Sequence, residues 1–132
     1  MLGGYDPSTR VRLTAALRVA AQRVRDVPAC AALFERFGAD GVECLRLSLY
    51  QSVARGGGEG VCARGLGSVA FTRVKSPLTT LCPTFDQLTI EQAAVAVLHE
   101  ALHFAGQTEW PLDPNAPTAG EINQMVRVAC EL

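Results

Sequence analysis

The chain has 132 residues, 48% of them apolar and 19% charged, with a net charge of −1. That length suits a single domain, 1–132, around one core, and the composition is that of a globular chain rather than a disordered one. Neither Lys nor Arg dominates any stretch, which argues against nucleic acid or an anionic membrane as partner. No run approaches the ~18 consecutive apolar residues of a membrane span.

Met1 to Arg10 is polar and Gly-rich and lacks a signal-peptide pattern. An exported protein trimmed of its leader reads the same way, so the compartment stays open on this point. Asp6-Pro7-Ser8-Thr9 is a helix start, with a capping residue followed by proline in the first turn. Val11 to Val27 then carries Leu13, Ala16, Leu17, Ala20, Ala21 and Val24 at helical spacing. Its arginines (Arg10, Arg12, Arg18, Arg23, Arg25) read as a solvated face. Pro28 interrupts the pattern, and Ala29 to Phe37 is a second short helix stopped by Gly38.

Val42 to Val53 mixes apolar and polar residues near alternation and fits a strand or a helix. Gly56-Gly57-Gly58 is a turn, and Gly60 to Arg64, Ser68 to Val74 and Leu78 to Cys82 read as short strands. Thr89-Ile90-Glu91-Gln92 is a capping box that opens a helix to about Ala105, stopped by Gly106. That helix is apolar almost all round, which predicts that it runs through the middle of the domain. A Pro-rich loop, Gln107 to Pro117, leads to a second capping box at Thr118 to Glu121. The last helix turns Ile122, Met125, Val126 and Ala129 to one side. The order predicts an α+β domain in which a small antiparallel sheet lies beside a central helix.

Chemistry concentrates on that helix. His99-Glu100-Ala101-Leu102-His103 is an HExxH motif, and it holds both histidines of the chain. Residues four apart share a helix face, their Cβ atoms about 6 Å apart, so two imidazoles can converge on one zinc ion. Glu100 points about 100° round the helix. From there it can take a proton from a metal-bound water without being a ligand. The bland alternative is a pair of core histidines, but it leaves a costly buried carboxylate unexplained.

A catalytic zinc needs a third protein ligand, which here must be Asp or Glu. Glu109 lies six residues after His103, with Gly106 halfway to let the chain turn sharply out of the helix. Its bland reading is a solvated loop carboxylate. Glu121, on the following helix, is the alternative, although the capping box already accounts for it. Asp113 is a more distant candidate. Trp110 could line a cleft or anchor the loop. Met125 could lie beneath a metal, though core packing suits it better. Arg127, Tyr5 and Tyr50 are not obvious oxyanion stabilisers.

The five cysteines, Cys30, Cys44, Cys62, Cys82 and Cys130, include no CxxC pair. They read as two disulfides with one thiol over, or as five small buried hydrophobes. The residues alone leave the connectivity open.

The segments Pro28-Ala29-Cys30, Cys62, Val69-Ala70-Phe71-Thr72, Leu81-Cys82, His99 to Glu109, Pro117 to Ile122 and Cys130 together look familiar. The chain resembles a group of often-exported bacterial zinc metallopeptidases of the zincin type (HExxHxxGxxE), and distantly the deuterolysin-type and metzincin peptidases. The resemblance covers most of the chain, but only the HExxHxxG core is specific. It implies a zincin fold, peptidase activity on a protein or peptide, and a periplasmic or extracellular location, with the cytoplasm as the alternative. It also implies pairs Cys62–Cys82 and Cys30–Cys130, leaving Cys44. The deuterolysin-type GTxDxxY stretch is absent, and Met125 stands where gluzincins carry an acidic partner. Substrate is expected to pair along Ser68 to Val74. Two other readings compete with a metalloendopeptidase. One is a zinc-binding or degenerate module without turnover, the other the catalytic piece of a larger polypeptide.

Overall fold

A computed structural model of the chain describes residues 7–52, 62 and 69–132. Its elements are α1 (Pro7–Asp26), α2 (Pro28–Glu35), α3 (Gly41–Leu47), β1 (Leu49–Ser52), β2 (Ala70–Thr72), β3 (Leu78–Leu81), a 3-10 turn (Pro83–Gln87), α4 (Ile90–Ala105) and α5 (Ala119–Cys130). The architecture is α+β. The expected strand at Gly60 to Arg64 and the turn at Gly56 to Gly58 lie outside the described residues, Cys62 excepted, as does Tyr5.

Local signals explain most boundaries. Pro28 begins α2, and Gly38, at φ 70°, lies just beyond its end. The ambiguous stretch after Gly41 is both helix and strand. Asp40 caps α3 by accepting from Val42 N and Glu43 N, and at Ser48 the backbone turns extended and feeds β1. Both capping boxes form, at Thr89/Gln92 and at Thr118/Glu121.

The sheet differs from the expected antiparallel one. Its order is β1-β3-β2, with β2 antiparallel to β3 but β1 parallel to β3. The tight turn at Arg73 to Pro77 permits only an antiparallel β2–β3 pair. β1 is separated from β3 by a connection long enough for a parallel crossover. In that turn Lys75 takes φ 70°. Its backbone N–H donates to His103 O at 2.8 Å, and its Nζ donates to Ala105 O at 3.1 Å. The hairpin is thereby fastened to the end of α4.

The central position expected for α4 is found. It packs against α1, α3, α5 and β2, and twelve of its sixteen residues are buried. α1 faces it with Leu13, Ala16, Ala20 and Val24. Alanines on both helices (Ala16 and Ala20; Ala93, Ala94 and Ala101) leave room for close backbone approach, and Leu98, Leu102 and Phe34 are among the largest side chains fully buried in the same core. Burying each of these larger side chains is worth about 1.5–3 kcal/mol. α5 contributes Ile122, Val126 and Cys130 to the same core.

Two disulfides cross-link the chain. Cys30–Cys130 ties α2 to the end of α5 across a separation of 100 residues. Cys62–Cys82 reaches the end of β3. Cys44 is a buried free thiol. Two such bonds suit an oxidising, exported environment. Among the described residues no helix is long and apolar enough to cross a membrane.

Candidate metal centre

The site is built where α4 ends. Gly106 adopts φ 135°, a conformation closed to most L-residues. A Cβ there would also meet Lys75 and Phe37 at 3.3 Å. Gly106 N and Gln107 N both donate to Leu102 O at 2.9 Å, which closes the helix. The chain then doubles back and carries Glu109 to the face from which His99 and His103 project. Glu109 Oε1 lies 2.9 Å from His99 Nε2 and 3.0 Å from His103 Nε2.

The other ring nitrogens fix the tautomers. His103 Nδ1 lies 2.7 Å from the Gln107 carbonyl, which can only accept, so Nδ1 carries a proton. His99 Nδ1 donates likewise to Asn123 Oδ1 at 2.7 Å. In the neutral rings each Nε2 is therefore a lone pair, and both point at one carboxylate oxygen. Three lone-pair donors facing one another need positive charge between them, either shared protons or a cation. Outer hydrogen bonds of this kind orient histidine ligands in metal sites.

The titration behaviour follows from this crowding. Burial pulls the His99 imidazole down, but the Glu109 hydrogen bond, the Glu100 charge and Asn123 outweigh it and lift it to about 9. His103 is also raised: burial opposes the shift, and Glu109, Glu100 and the Gln107 carbonyl overcome it. For Glu109 burial pushes upward, yet its two imidazole partners hold it down at about 2.

His99, His103 and Glu109 thus form a group whose ligand atoms all lie within 4.8 Å of one another. Two imidazole nitrogens and a carboxylate oxygen, with the rings locked from behind, fit a divalent metal ion that keeps an open coordination position.

Glu100 lies outside that group. It is only 5% exposed. Its Oε2 is 4.0 Å from His99 Nε2, and its Oε1 has no hydrogen-bond partner among the described residues. Burial raises its pKa, against the pull of His99, His103 and the Thr72 hydroxyl. Thr72 in turn shares a 2.6 Å hydrogen bond with Thr79 on β3. A buried carboxyl with a free lone pair beside a cation site is placed to accept a proton.

The other candidates fall elsewhere. Glu121 is exposed and spends its carboxylate on the cap, accepting from Thr118 N at 2.9 Å. Asp113 accepts from the Thr108 hydroxyl and from Asn115 N, while its own N–H holds Glu109 O at 3.0 Å. It braces the ligand loop rather than joining the group. Trp110 is half-exposed, its N–H donating to Pro117 O. Met125 Sδ lies 3.9 Å from Arg36 Nη1. Arg127 is exposed. Tyr50 is buried on β1, its phenol pushed up to about 12 by burial and also by the Glu100 charge.

Asn123, Gln107, Thr72 and Arg36 are the site residues that sequence reasoning missed. Asn123 alone carried a signal, a polar residue next to Ile122 on the buried side of an amphipathic helix. Searches of family models, of curated proteins and of solved structures find no match to this chain.

Proposed function

We propose that this protein is a zinc-dependent metalloendopeptidase of zincin type, exported to the periplasm or the extracellular space. The observation that carries the reading is the convergence of His99 Nε2, His103 Nε2 and Glu109 Oε1 beside a buried, half-partnered Glu100. Nitrogen and carboxylate donors in this number suit zinc. A bound zinc ion supplies Lewis acidity, acidifying a water and polarising a scissile carbonyl.

The chain's own residues do the rest. His99 and His103, held by Asn123 and the Gln107 carbonyl, keep their Nε2 lone pairs on the ion. Glu109 balances its charge. The Glu100 carboxylate takes the proton of the attacking water and delivers it to the leaving amine, and burial keeps that carboxylate basic enough to do so. β2, packed against α4, is an edge strand among the described residues, and its outer side would offer backbone groups to an extended peptide.

Cleavage of an unfolded protein by the wild type and by Glu100→Gln tests the proposal. The expected result is a loss of roughly 10²–10⁴-fold with stoichiometric zinc retained. Equal cleavage by the variant would remove Glu100 from its role. A wild type that binds zinc but cleaves nothing would leave a metal-holding module without turnover.

A further inference from the structure

Gln107 does more than lend a carbonyl. Its side chain is buried at 7% exposure, so each of its polar atoms needs a partner. Its N–H donates to Leu102 O, and its carbonyl accepts from His103 Nδ1. Its Nε2 donates to Thr108 O at 2.9 Å, and its Oε1 accepts from Arg36 Nη2 at 2.8 Å. The first three bonds are local to the turn. Only the fourth reaches another part of the fold.

Arg36 is well placed to be that anchor. It stands at the C-terminal end of α2, its Nε donating to Leu33 O at 3.1 Å and its guanidinium 5.0 Å from the Phe37 ring centroid. Phe37 packs against the turn at Gly106. Near its other end α2 is bonded through Cys30 to Cys130 of α5, the helix that presents Asn123 to His99. The outer supports of both imidazoles therefore lead back to one cross-linked pair of helices.

We infer that Arg36 is a positioning residue of the metal centre, acting through the Gln107 amide to hold the Gln107 carbonyl on His103 Nδ1. The inference rests on the metal-binding reading above. Without Arg36 the buried amide oxygen loses its donor, and the turn gains an alternative in which residue 107 rotates to satisfy it. His103 then loses its fixed tautomer and orientation. Outer partners of metal-ligating histidines commonly control affinity by about 10–100-fold.

The test uses the full chain with cobalt(II) as a spectroscopic stand-in for zinc. Affinity is read by competition with a chromophoric chelator, and ligand geometry from the visible absorption band. Arg36→Met and Gln107→Met are each expected to weaken binding about tenfold or more and to alter the band. The double variant should be no weaker than the worse single, because both break one strut. Arg46→Met, whose arginine pairs with exposed Glu43, should leave affinity and spectrum unchanged. Wild-type affinity and an unaltered band in Arg36→Met, or additive losses in the double variant, would overturn the inference while leaving the metal centre intact. Should Arg36→Met fail to fold, Gln107→Met with wild-type affinity overturns it equally. A wild type that takes up no cobalt or zinc would instead defeat the metal-binding reading itself.

Discussion

Glu100 and the turn from His103 to Glu109 are neighbours on one helix end, yet they are built on opposite plans. In the turn nearly every polar atom is spoken for. His103 is bonded on both nitrogens, Gln107 on all four polar atoms, and Glu109 Oε1 on two sides. Glu100 is at least as deeply buried, but one of its oxygens meets no donor among the described residues. A group that must keep its place is bonded from every direction. Glu100, the proton acceptor of the proposed reaction, keeps a lone pair without a donor among the described residues and bears the cost of burial.

The largest effect should come from breaking the holding side at its centre. Glu109→Ala is expected to lose stoichiometric metal, whereas Glu121→Ala should keep it. Loss of the cap should cost Glu121→Ala only about 1 kcal/mol of stability. Metal analysis beside denaturant unfolding reads both. Metal loss in Glu121→Ala with retention in Glu109→Ala would reverse the ligand assignment.

A smaller effect is expected one bond further out. Asn123→Ala removes the acceptor on His99 Nδ1 and should weaken zinc binding about 10–100-fold without abolishing it. An unchanged dissociation constant would show that His99 needs no support from α5.

The smallest effect is electrostatic and separates the protonated centre from the metal-loaded one. In chelator-stripped protein the folded state raises His99 from 6.5 to about 9 and lowers Glu109 from 4.5 to about 2. The His99 contribution to stability is whole below about pH 6.5 and is lost as pH rises through about 9. The Glu109 contribution is whole above about pH 4.5 and is lost as pH falls through about 2. The difference in thermal midpoint between wild type and Glu109→Gln should therefore be greatest between about pH 4.5 and 6.5 and should shrink on both sides. Metal affinity runs the other way and falls as pH drops below about 9, because the imidazole must surrender its proton to bind. A midpoint difference that is flat from pH 3 to 9 would rule out the shared-proton arrangement.

Where signals are local, the sequence was a good guide. The HExxH spacing, Gly106, both capping boxes and the all-round apolar character of α4 each depend on residues within a turn or two of one another, and each has its counterpart in the structure. The mixed sheet was not legible. Strand direction is decided by how β1 and β3 meet across an intervening stretch of chain, and alternation within a four-residue strand carries no sign of it. The supports of the imidazoles were hidden for a related reason. Asn123 lies 24 residues from His99, and Arg36 lies 71 from Gln107. Asn, Gln and Arg at such distances form no recognisable pattern until the fold brings them together.

The order of these parts along the chain has a consequence for biogenesis. A polypeptide threading out of a ribosome or a translocon presents His99 and His103 before it presents Asn123 or Cys130. During that interval both imidazoles are exposed without the helix that aligns one of them or the thiol that locks that helix down. Competence to grip an ion tightly therefore arrives late, with the emergence of α5 and oxidation of the Cys30–Cys130 pair. If the proposed peptidase activity holds, a protein built this way stays inert while its own nascent chain is still unfolded and most easily cut.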